Sequence, residues 1–116
     1  MLTLPPSVRV SLATGATDMR RSVDGLRALV LRHGLGDPYS GHLFVFRNRR
    51  GDRLKILVWD RSGFWVLYKR LEKGTFAWPE TNETGAMSIH AGDLALLLSG
   101  VDLARTKSRT WYERAA

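Results

Sequence analysis

Four aspartates, Asp18, Asp24, Asp52 and Asp60, are the side chains with which this chain would hold divalent metal for phosphodiester cleavage. Two-metal chemistry needs carboxylates that converge within a few ångströms. Asp52 and Asp60 fall in turns at the two ends of one strand, roughly 25 Å apart at strand rise. Asp60, in "WDRSG", reads as a turn-starting residue. Asp18 and Asp24 are six residues apart and face different sides of an expected helix. His33, His42 and His90 lie on separate elements without ligand spacing. No serine sits in a nucleophile-elbow pattern, no glycine-rich phosphate loop carries its lysine, and there is no cysteine. The expectation is a protein with no catalytic residues, no metal ligands and no cofactor: not an enzyme.

The residues that do cluster are basic. In "FRNRRGDRLKILVWD", Arg47, Arg49, Arg50 and Arg53 crowd a Gly-Asp turn. Residues 47–73 carry nine Arg or Lys against three Asp or Glu, whereas residues 74–103 carry none against four. The chain as a whole has a net charge of +7 and an isoelectric point near 10.6. Guanidinium groups bond phosphate oxygens in pairs, and neutralising phosphates releases counterions, which gives affinity for any nucleic-acid sequence. The candidate nucleic-acid-binding residues are therefore Arg47, Arg49, Arg50 and Arg53, assisted by Lys55, Arg61, Lys69 and Arg70. The competing reading is that turn and edge arginines only keep a sheet soluble.

The elements that must hold these side chains follow from periodicity. Ser7 to Thr14 alternates Val8, Val10 and Leu12 with polar or small residues, the pattern of a half-buried strand. From Asp18 to His33, the positions Met19, Val23, Leu26 and Val30, widened by Leu29, make one stripe of a helix. Ser22 or Asp18 serves as its N-cap, Gly34 follows its end, and Gly25 marks close approach to another element. After the loop "GLGDPYSG" come three strands, His42 to Asn48, Arg53 to Asp60 and Phe64 to Leu71, joined by the short connections "RRGD" and "RSG". "TFAWP" adds a short piece ended by Pro79, and "ETNETGA" is loop. Ser88 caps a second helix from Ile89 to Ser99, with Gly100 at its end. The expected fold is α+β, an antiparallel β-meander with an N-terminal strand and two packing helices. Residues 1–103 form a single domain, and 104–116 form a basic, flexible C-terminal tail.

If Asn48 opposes Arg53 and Trp59 opposes Phe64, one face of the meander carries Leu43, Val45, Leu54, Ile56, Val58, Trp65 and Leu67. The other is aromatic with basic ends: Phe44, Phe46, Lys55, Trp59, Phe64 and Tyr68 belong to it. Both faces want cover. One helix on each would make the aromatics core. Both helices on the aliphatic face would leave Phe44, Phe46, Trp59, Phe64 and Tyr68 as an open platform for bases or for a partner protein. No stretch reaches 18 apolar residues and no signal peptide is read, so the expected location is the cytoplasm.

"DMRRSVDGL", "GHLFVFRNRRGDRLKILVWDRSGFWVLYKRLEKGTFAWP" and "LALLLSGVDL", in that order, resemble the TnpB-type accessory proteins of the insertion-sequence-66 family of bacterial transposons, products of the second open reading frame. An RNA-guided nuclease family shares that name but not this pattern. The resemblance covers about Val10 to Leu103 and leaves the tail outside. It implies a non-catalytic role in transposition beside a separate, larger transposase. Transposon DNA and that transposase are the expected partners. Contact with DNA phosphates through the basic hairpin is one reading, and an adaptor docking the transposase through an aromatic sheet face is the other.

Overall fold

The computed structural model describes residues 4–79 and 86–100. Along the chain run β1 (Arg9–Ala16), α1 (Val23–Arg32), β2 (Leu43–Arg47), β3 (Arg53–Trp59), β4 (Phe64–Arg70) and β5 (Ala86–His90). A single 3-10 turn (Ala91–Asp93) then leads into the short α2 (Leu94–Leu98). The fold is α+β, with one five-stranded mixed sheet in the order β4-β3-β2-β1-β5. The strands β2, β3 and β4 pair antiparallel, and β1 lies parallel to β2. Parallel neighbours need a crossover, and α1 is the connection that supplies it.

Short turns set the register of β2, β3 and β4. Phe44 pairs with Leu57, Arg47 with Leu54, and Trp59 with Phe64, the register the connections "RRGD" and "RSG" imply. Each face is then covered. Leu26, Leu29 and Val30 of α1 pack with Phe44, Phe46 and Leu57 on one side. Leu94, Leu97 and Leu98 pack with Leu43, Val45, Leu54 and Ile56 on the other. Phe44 and Phe46 are thus core residues, 1% and 0% exposed, and not part of an open aromatic platform. A bulky aromatic opposite an aliphatic helix stripe is buried because that removes the most apolar area from water.

The helix α1 begins later than its stripe predicts. Asp18 lies ahead of it in a turn, its carboxylate accepting from the Arg20 backbone N–H at 2.9 Å, and Ser22 takes the N-cap position without a side-chain cap bond. The helix ends as expected. Gly34 takes φ +63°, its N–H donates to Leu31 O, and the Leu35 N–H donates to Val30 O at 2.9 Å. This pair of bonds satisfies two orphan carbonyls and turns Leu35 back into the core. The atoms nearest to a side chain placed at Gly25 would be those of Arg21, in the preceding turn, at 3.1–3.5 Å.

Two further expectations are corrected. Ser88 and Ile89 do not open a helix but lie in β5, where Ile89 pairs with Val10 and Ser88 with Ser11. Without β5, the outer edge of β1 would leave its backbone groups unpaired, and Gly92 would sit inside a helix at a cost of about 1 kcal/mol. "TFAWP" forms no strand: Phe76 is buried and its N–H donates to Gly51 O at 2.8 Å. β1 itself runs on through Gly15 and Ala16, with a register shift against β2 between Leu12 and Ala16. Residues 104–116, expected as a flexible tail, lie outside the described residues.

Candidate nucleic-acid interface

The hairpin between β2 and β3 is built around Asn48. Its N–H donates to Arg53 O, its Oδ1 accepts from the Arg53 N–H, and its Nδ2 donates to Asp52 at 2.7 Å. Asn48 O also accepts the Gly51 N–H at 3.1 Å, so Arg49 and Arg50 are the two central residues of a hydrogen-bonded turn. Gly51 takes φ +77° there, which an L side chain would strain. The turn is braced from outside, because Gly51 O accepts from Phe76 and Asp52 O from Leu71. Its backbone is therefore better supported than turn arginines ordinarily are. The Asn48 bond, first, holds the Asp52 carboxyl below its ordinary value, and the Arg50 and Arg53 charges add to the effect.

Arg49, Arg50 and Arg53 are exposed, and their guanidinium groups make no hydrogen bond or ion pair to the described residues. They do not crown a protrusion. With Lys55, Asn48 and Tyr68 they line one side of an open groove of about 820 Å³, whose other side is the β1–α1 connection from Thr17 to Ser22. Two bonds tie the walls together. Thr17 N–H donates to Arg47 O at 2.7 Å, and Lys55 Nζ donates to Arg21 O at 2.7 Å. Lys55 Nζ also stands 5.8 Å from the centre of the Tyr68 ring, its cross-strand partner. The acid lining the groove is Asp18, gripped by the Arg20 guanidinium at 2.7 Å and held at a pKa of about 2 by those hydrogen bonds. The groove's charge is thus positive, carried chiefly by Arg49, Arg50, Arg53 and Lys55.

The remaining candidates lie elsewhere. Arg47 turns inward: its guanidinium donates to Asn48 O and Thr14 O, both at 3.3 Å, and lies 5.7 Å from the Trp78 ring centre. Its Nε is buried with no hydrogen-bond partner among the described residues. Arg47 is a strut between β1, β2 and Trp78, whose own indole donates to Ala13 O. Lys69 points to the α2 side and donates to Leu98 O at 2.7 Å, serving the end of that helix. Arg70 is ion-paired with Glu72 at 3.2 Å, and Arg61 occupies the far turn with φ +82°. Trp59 and Phe64 are half-buried and form a three-ring cluster with Tyr39, centroids 5.0–5.3 Å apart. Of the five aromatic candidates, Tyr68 alone joins the groove.

Thr17, Arg20, Ser22 and Asn48 belong to the groove and carry no signal of it in the local pattern. The Lys55–Arg21 contact that closes the site joins residues 34 apart in sequence. Asp60 is a turn residue as read: its carboxylate accepts from Ser62, Gly63 and the Trp65 indole, the last at 2.6 Å. Among the described residues no group of three or more His, Cys, Asp or Glu could hold a metal ion, and no helix is long and apolar enough to cross a membrane.

The family described as IS66 Orf2 like protein matches residues 8–108. The chain belongs to that family. IS66 Orf2 like proteins are insertion-sequence accessory proteins and are not known as enzymes. The match reaches Ser108, so the family pattern enters the basic tail, five residues beyond the Leu103 at which the resemblance read from sequence stops. Two relatives, both from Sinorhizobium fredii (strain NBRC 101917 / NGR234), are described as the uncharacterized proteins y4jC and y4hO. The first is 41% identical over 102 residues, 88% of this chain and 86% of the relative. The second is 42% identical over 111 residues, 96% of this chain and 95% of the relative. No solved structure matches the chain.

Proposed function

We propose that this IS66 Orf2 like protein assists insertion-sequence transposition by holding transposon DNA through its phosphates. It acts in the cytoplasm, beside a separate transposase that carries the strand-transfer chemistry. One observation carries the reading: the guanidinium groups of Arg49, Arg50 and Arg53, without hydrogen-bond or ion-pair partners among the described residues, converge with Lys55 on one groove. Three guanidinium groups on a braced turn repel one another, and the single neighbouring carboxylate, Asp52, offsets only part of that charge, so a bound anion would relieve the rest. Arg47, Arg61, Lys69 and Arg70 take no part in this proposal.

The test is a titration of labelled transposon-end DNA at rising salt. Three phosphate contacts give a slope of about −2.7 on duplex, so affinity falls about 40-fold between roughly 50 and 200 mM salt. Replacing both Arg49 and Arg50 with alanine should lower that slope by about 2 and weaken all sequences alike. If the double variant binds as tightly as the parent at low salt, the groove is not the DNA site. The adaptor reading then takes over. It is favoured by the ring cluster of Tyr39, Trp59 and Phe64, in which Tyr39 is 49% exposed, and it expects weak salt dependence.

A further inference from the structure

The phosphate reading leaves one feature of the groove unused. Tyr68 is 52% exposed on the groove wall, and phosphates have no need of an aromatic ring. Its position is specific. Lys55, anchored through its Nζ to Arg21 O, stands over one face of the ring at 5.8 Å from its centre, and Val66 continues the apolar floor on the same face of β4. An exposed aromatic next to unpaired cations suits a ligand that has both a π-face and a negative backbone.

A DNA duplex offers no such face. Its bases are stacked within the helix, and the grooves present only base edges to a protein. Tyr68 stands within β4 and not on a protruding loop, so it does not reach between stacked pairs, whereas the bases of a single strand are free to lie on it. The groove is open along its length, and at about 820 Å³ it has room for a few nucleotides of one strand.

We propose that the groove takes single-stranded DNA, with consecutive phosphates on Arg49, Arg50 and Arg53 and one base stacked on Tyr68. This rests on the phosphate-binding reading and names the form of DNA it selects. Tyrosine suits the role because its ring has only two side-chain torsions to freeze on binding.

Three probes of equal length test it by fluorescence anisotropy with the full chain: a labelled oligothymidylate, the same strand with abasic sites throughout, and a duplex. The parent should bind the oligothymidylate tighter than either of the others. Tyr68→Ala should lose about 5- to 150-fold on oligothymidylate, the loss of one stacked base, and be unchanged on the abasic strand. Tyr68→Phe, which keeps the ring, should bind as the parent does. Equal parental affinity for the oligothymidylate and abasic strands would overturn the proposal without using any variant. Preference for duplex, with binding still weakened by the Arg49 and Arg50 replacements, would overturn it while leaving phosphate binding intact. Binding to none of the probes at low salt would sink both.

Discussion

Arg47→Ala separates an arginine that holds the fold from those that face the groove. The substitution removes hydrogen bonds to Asn48 O and Thr14 O and the stack on Trp78. At 3.3 Å both bonds are long, so each contributes at the low end, about 0.5–1 kcal/mol. A cation over an aromatic ring adds about 0.5–1 kcal/mol. Against this, the unpartnered Nε is a penalty in the native state that alanine relieves, about 1 kcal/mol. The net loss is about 0.5–2 kcal/mol, which for a domain of this size lowers Tm by about 2–8 °C. Arg47→Lys should recover little, since an ammonium cannot reproduce the planar fork or the stack. Thermal melts followed by circular dichroism at fixed salt read the effect, with Arg49→Ala expected within about 2 °C of the parent as an exposed turn change. The salt slope for DNA should be the same for Arg47→Ala as for the parent. A variant that melts with the parent and yet shows a slope shallower by about 0.9 would refute the reasoning, placing the guanidinium on a phosphate.

Leu26, fully buried between α1 and the aromatic side of the sheet, should lose about 2–5 kcal/mol on replacement by alanine, measured by urea denaturation. A loss below about 1 kcal/mol would mean that α1 does not seal that face. The Asp60 carboxyl is held below its ordinary value of 3.8, first by the Trp65 indole and then by Ser62 and Gly63. Because its folded-state pKa is depressed, its contribution to stability is present above the unfolded value and fades as pH falls through the folded one. The Trp65 indole proton resonance should therefore titrate with a midpoint below 3.8, and a midpoint at or above that value would contradict the bond.

Local sequence determined a good deal. The connections "RRGD" and "RSG" are too short to allow much choice, so they pin which residues of β2, β3 and β4 face each other. The stripe of Leu26, Leu29 and Val30 and the glycine after it define α1 and its end, because helix period and C-terminal capping are properties of neighbours in the chain. The concentration of positive charge in residues 47–73 is legible for the same reason. So is the family, whose pattern is carried by contiguous blocks of residues.

Tertiary structure decided the rest. Whether Phe44 and Phe46 are core or platform depends on which face α1 covers, and period alone puts no helix on either side. The strand β5 was hidden because Ile89 is apolar in either a helical or an extended reading; pairing with Val10, 79 residues earlier, selects the strand. The arginines were sorted in the same way. Arg47 and Arg49 stand two residues apart in one basic run, yet one reaches Thr14 O across the sheet and the other faces the groove. A guanidinium's role is set by what lies within a few ångströms of it, and here those atoms come from β1 and the β1–α1 connection, about thirty residues away along the chain.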